Sequence, residues 1–141
     1  MKEQILVGID PDCDKSGFAV WNRDHKKFIW MDCYDLPDLF HELLEILDCK
    51  LPVRVRLEAG WLKPGTWHKG GAGAAKRVGA NHEIGRQIEK FCKKRDINVE
   101  LVEPQGYSGY NHDKFCRVTG WAKANKTNPE TRVAGMLVYG F

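Results

Sequence analysis

An apolar run ending in a carboxylate constrains this chain most: Ile5-Leu6-Val7-Gly8-Ile9-Asp10-Pro11, followed closely by Ser16-Gly17-Phe18-Ala19-Val20. Such a run reads as a buried strand. An acid at the end of a buried strand costs free energy unless something cationic stands beside it. A second acid of this kind is Glu58, which ends the run Val53-Arg54-Val55-Arg56-Leu57. Two strands that each deliver a carboxylate predict a divalent-metal site built on the core of a sheet, because hard cations take oxygen ligands.

The rest of the chain reads as an α/β order. Residues 4–10, 16–23 and 27–34 are predicted strands, with the polar turn Asn22-Arg23-Asp24-His25-Lys26 joining the second and third as a hairpin. Asp35 caps a helix in which Leu36, Leu39, Phe40, Leu43, Leu44 and Leu47 recur at spacings of three and four. Residues 53–58 form a strand whose Val53, Val55 and Leu57 alternate with Arg54 and Arg56. A Gly-, Trp- and Lys-rich loop runs from Gly60 to Gly73, and a long helix from about Ala74 to Arg95. Residues 98–103 form a short strand stopped by Pro104, and a short helix is expected over His112–Thr119. Asn128 caps the last helix, with Pro129 in its first position. This mixed order predicts one central sheet flanked by helices in one domain over residues 1–141.

Charge divides the chain. Residues 1–62 hold 8 Lys/Arg and 12 Asp/Glu, a balance of −4, whereas residues 63–141 hold 14 and 7, a balance of +7. The acidic half carries the candidate metal ligands, and the basic half reads as a surface for a polyanion. Lys63, Trp67, Lys69, Lys76 and Arg77, in and after the Gly-rich loop, suit phosphate contact and base stacking. Lys114, Arg117, Lys123 and Lys126 add a second basic group. Five cysteines with no C-x-x-C pair predict reduced thiols and a cytoplasmic setting. No apolar run is long enough for a membrane span, and no signal peptide is expected.

The ordered set of motifs resembles the RuvC-type Holliday-junction resolvases of the ribonuclease-H-like superfamily. I-L-V-G-I-D-P followed by S-G-F-A-V-W is similar to that family's first hairpin, and R-L-E-A-G at 56–60 to the strand with its second acid. V-G-A-N-H-E-I-G-R-Q-I at 78–88, V-E-P-Q at 102–105 with Lys114, and R-V-A-G-M-L-V at 132–138 resemble the later elements in order. The resemblance implies a ribonuclease-H-like mixed sheet with an N-terminal antiparallel hairpin. It also implies a homodimer that cuts branched DNA, ideally four-way junctions, with two Mg2+ or Mn2+ ions.

On this resemblance Asp10 and Glu58 hold metal, and Lys114 holds a phosphate. The family's last helix carries two acids three residues apart. Here Glu130 stands at the first place and Val133 at the second. The expected set is therefore Asp10, Glu58 and Glu130, with Asp12, Asp14 and Asp113 as replacements for the missing acid. The missing acid motivates an alternative, a catalytically weak or inactive DNA-binding module of the same fold. A third reading is an ATP-binding protein of the actin-like superfamily. The short chain opposes it, since that architecture clamps a nucleotide between two such domains.

Overall fold

The computed structural model describes residues 3–63 and 71–141. Its elements are β1 (Ile5–Asp10), β2 (Ser16–Asn22), β3 (Lys27–Tyr34), α1 (Leu36–Asp48), β4 (Val53–Glu58), α2 (Gly71–Lys94), β5 (Asn98–Val102), α3 (His112–Thr119) and α4 (Pro129–Val138). Short 3-10 turns occupy Gly60–Leu62 and Tyr107–Gly109. The five strands form one sheet in the order β3-β2-β1-β4-β5. β1 pairs antiparallel with β2, and β2 with β3; β1 pairs parallel with β4, and β4 with β5. The predicted hairpin and mixed sheet are thus both present.

Side-chain alternation along the strands assigns the two faces. Ile5, Val7 and Ile9 of β1, Phe18 and Val20 of β2, and Val55 and Leu57 of β4 pack with Leu39, Leu43 and Ile46 of α1 and Ile88 and Cys92 of α2. Leu6, Ala19 and Trp21 pack on the other face with Ala134 and Val138 of α4. Each fully buried aliphatic side chain contributes about 1.5–3 kcal/mol, so both faces are needed for a stable sheet. Arg56, on the α4 side of β4, donates from Nε to the Leu137 carbonyl at 2.6 Å.

Two glycines set how closely α4 approaches. A Cβ on Gly8 would lie 2.1 Å from the Ala134 carbonyl oxygen, and one on Gly17 2.0 Å from that of Glu130. Only a residue without Cβ admits backbone at that range. Gly17 is the register partner of Asp10, so the start of α4 descends directly beside the first acid.

The helix ends follow the sequence. Asp35 accepts a hydrogen bond from Asp38 N at 3.0 Å, Asn111 caps α3 through Lys114 N at 2.8 Å, and Asn128 caps α4 through Thr131 N at 2.8 Å. Thr131 completes a capping box with Asn128. α2 departs from expectation, beginning at Gly71 inside the stretch read as loop. Gly71 and Gly73 are in its first turn, where an open end lessens the cost of glycine. Part of the expected loop is also described, as a 3-10 turn whose Trp61 ring packs on Gly85 of α2.

Candidate active site

β1 and β4 run parallel and end at the same level, with Ile9 opposite Leu57, so Asp10 and Glu58 emerge side by side at the carboxyl end of the sheet. Glu130, in the first turn of α4, reaches the same place because its backbone rests on Gly17. Burial pushes the Asp10 carboxyl up to about 8, with the charges of Glu58, Glu130 and Asp12 adding to the rise. Burial also raises Glu58. No ion pair to Asp10, Glu58 or Glu130 occurs among the described residues. Crowded, partly buried carboxylates without a resident cation are a charge arrangement that favours an added one.

The donor chemistry would suit a hard divalent cation, since all three side chains are carboxylates. Among the described residues, the group of possible metal-holding side chains whose ligand atoms all lie within 4.8 Å of one another is Asp12, Cys13 and Asp14.

A cavity of about 190 Å³ opens beside the acids, lined by Asp10, Pro11, Glu58, Gly60, Trp61, Val78, Asn81, His82 and Pro104. Sequence reasoning missed the α2 residues of this wall. The signal was there: positions 78, 81, 82 and 85 fall on one helix face at spacings of three and four. His82 packs against Gly60 and lies edge-on to Trp61, with ring centroids 6.0 Å apart. Burial and the nearby Arg86 guanidinium lower its pKa. Arg86 itself lies over Trp61, 5.3 Å from the ring centroid. Asn81 Oδ1 accepts a hydrogen bond from Cys13 N at 2.7 Å and so ties the β1–β2 turn to α2.

Cys33, also missed, is the register partner of Gly17 on β3. Its sulfur lies 3.0 Å from Asn128 Nδ2 and 3.4 Å from Asn128 Oδ1, which links β3 to the cap of the helix bearing Glu130. Burial raises its thiol pKa, and Glu130, Asp32 and Asp10 push the same way against the Asn128 hydrogen bond.

The three replacement acids are placed very differently. Asp12 is within electrostatic range of Asp10, and its side chain is 11% exposed. Asp14 is 76% exposed. Asp113 pairs with Lys123 at 3.3 Å. Val133 is 4% exposed, packed as an apolar residue.

The basic residues also divide. Lys63 follows the first 3-10 turn and is exposed, as are Lys76, Arg117 and Lys126. Lys114 is exposed with its ammonium 4.2 Å from the Tyr110 ring centroid. Arg77 is bound to Asp12 and Asp14. Trp67 and Lys69 lie outside the described residues.

The sheet order, the N-terminal hairpin and the flanking helices define a ribonuclease-H-like α/β fold. Among solved structures the chain is similar to T. thermophilus RuvC in complex with a Holliday junction substrate, with a TM-score of 0.58 and 12% identity over 96% of this chain and 89% of that one. At that identity the likeness shows the fold. No family model matches the chain, and no curated protein matches its sequence.

Proposed function

We propose that this protein is a divalent-metal-dependent endonuclease that cuts branched DNA, four-way junctions above all. The observation that carries this reading is the crowding of Glu58, Glu130 and Asp12 around Asp10 at the carboxyl end of a RuvC-like sheet. Asp10, Glu58 and Glu130 would together hold the divalent ions, Mg2+ or Mn2+. Ions bound there supply the positive charge that an attacking water and a departing oxygen both need during in-line phosphodiester hydrolysis.

The chain's own residues orient and confine the reaction. Gly17 and the Cys33–Asn128 contact fix the start of α4, and with it Glu130. Pro11, Trp61 and Val78 form the apolar side of the cavity, which limits water beside the acids. Lys63, Lys69, Lys76, Lys114, Arg117, Lys123 and Lys126 would hold the DNA backbone, and Trp67 would stack on an unpaired base. Two symmetric cuts in a four-way junction call for two sites, hence a homodimer working in the cytoplasm. No helix among the described residues is long and apolar enough to cross a membrane.

The test is Mg2+-dependent cleavage of a synthetic four-way junction against linear duplex. Wild type should cut the junction, and Asp10→Asn should lose activity by at least ~100-fold while still binding it. Equal cutting by the Asn variant would remove Asp10 from the reaction. The buried Val133 favours a second reading, a DNA-binding module with a weakened metal site. Junction binding without cleavage by wild type would select it.

A further inference from the structure

The β1–β2 turn carries a charge pairing that the reading above leaves unused. Arg77 Nη2 lies 3.3 Å from Asp12 Oδ1 and 3.0 Å from Asp14 Oδ2. The arginine stands in the first turns of α2, directly after the Gly- and Lys-rich segment, with its side chain 54% exposed. Asp12 is nearly covered, and its charge is felt at Asp10. An exposed guanidinium on one Asp that is buried and one that is not is held weakly, because solvent screens such pairs. A DNA phosphodiester, singly charged like a carboxylate, offers the same guanidinium a bidentate partner, and counterion release from the duplex favours the transfer.

We propose that Arg77 is a positioning residue that exchanges between the Asp12–Asp14 pair and a DNA phosphate, so that DNA binding raises the negative charge available to the metal site. Without DNA the guanidinium offsets the charge of Asp12. With DNA it moves to the backbone, Asp12 regains its full charge beside Asp10, and divalent cations bind more tightly. Linkage requires the reverse as well: cations gathered at the acids weaken the hold on Arg77 and favour its transfer to DNA. The exchange keeps the site short of metal until substrate arrives. It rests on the reading of Asp10, Glu58 and Glu130 as metal-holding residues.

Two measurements test it, neither of which needs cleavage. Free Mn2+ is counted by electron paramagnetic resonance in a titration of DNA-free wild type, Arg77→Gln and Asp10→Asn. Binding of a four-way junction is measured in EDTA across a salt series for wild type, Arg77→Gln and Asp14→Asn. Arg77→Gln should bind Mn2+ about threefold to tenfold more tightly than wild type. It should also lower the salt slope of junction binding by about one. Asp14→Asn should strengthen junction binding about twofold to fivefold by loosening the arginine. Merely structural pairing would weaken all of these properties together. Mn2+ binding by Arg77→Gln no tighter than wild type, or an unchanged salt slope, overturns the exchange. If Asp10→Asn binds Mn2+ as well as wild type does, the metal reading itself fails, and the two failures are told apart in the same titration.

Discussion

Strand β4 treats its charges in two opposite ways within five residues. Arg54 and Arg56 lie on the same face as Glu58, four and two residues upstream. Arg54 pairs with Glu3 at 3.2 Å and Glu100 at 3.1 Å, and Arg56 pairs with Glu100 and rests over the Phe141 ring. Near the strand's start every acid has an arginine. At its end Glu58 acts on Asp10, as Glu130 does, with no cation paired to the three among the described residues. The first arrangement is complete in its ion pairs, although the buried Arg54 Nε has no hydrogen-bond partner. The second is incomplete in the same sense, carboxylates crowded around Asp10 without a protein cation paired to them among the described residues, the kind of perturbed cluster that marks a candidate site.

Adding charge to the incomplete end should have the largest effect. Val133→Asp puts a fourth carboxylate one helical turn from Glu130 at a buried position. Metal-free protein should lose about 3 kcal/mol or more of stability. Mg2+ should restore more of that loss than it adds to wild type, and junction cleavage should quicken. Chemical denaturation with and without Mg2+ measures the first two. A stability loss that Mg2+ does not touch would mean that position 133 faces away from the acids.

Breaking the complete end gives the matched control. Arg56→Ala removes one of the two arginines of Glu100 and the donor to the Leu137 carbonyl, and should cost about 1–3 kcal/mol. Here the loss should be the same with and without Mg2+ in the same denaturation experiment. A loss repaired by Mg2+ would erase the distinction between the two ends.

The distinction also has a pH signature. Asp10 titrates near 8 when folded and in the ordinary carboxylate range when unfolded. Below about 4 both states hold the proton. Between there and about 8 the folded state holds a proton that the unfolded chain has lost, so stability from this group falls as pH rises and is fully lost above its folded pKa. The melting temperature of metal-free wild type should therefore drop from pH 5 to pH 8.5 relative to Asp10→Asn. Mg2+ should raise it more at pH 8.5, where the carboxylate is available. Parallel melting curves for the two proteins would show that Asp10 is not crowded.

The smallest effect lies on the basic surface, away from both ends. Lys114→Ala should lower the salt slope of junction binding by about one unit and weaken all branched DNAs alike. An unchanged slope would leave its contact with Tyr110 as its whole role.

Much of this was legible in the chain. The continuous apolar run from Ile5 to Ile9 and the alternation from Val53 to Leu57 located both strands and both terminal acids, because a strand buried on two faces is apolar throughout whereas one with a polar face alternates. Asp35 and Asn128 announced their helices, since a cap is chosen within four residues of sequence. The start of α2 was less legible, because glycine propensity argues against a helix that nonetheless begins at the exposed Gly71. The cavity wall on α2 was visible only as a helix face whose partner the sequence does not name.

The sequence by itself determined the elements, their order and the acids at two strand ends, all of which follow from interactions between near neighbours along the chain. Tertiary structure alone decided what those acids meet. The missing Cβ at Gly8 and Gly17 lets α4 come down on β1 and β2 and bring Glu130 to Asp10. Arg77 crosses from α2 to Asp12 and Asp14, more than sixty residues away, while Asp113 turns to Lys123. Such pairings depend on distances of a few ångströms between segments far apart in sequence, which local propensity does not encode.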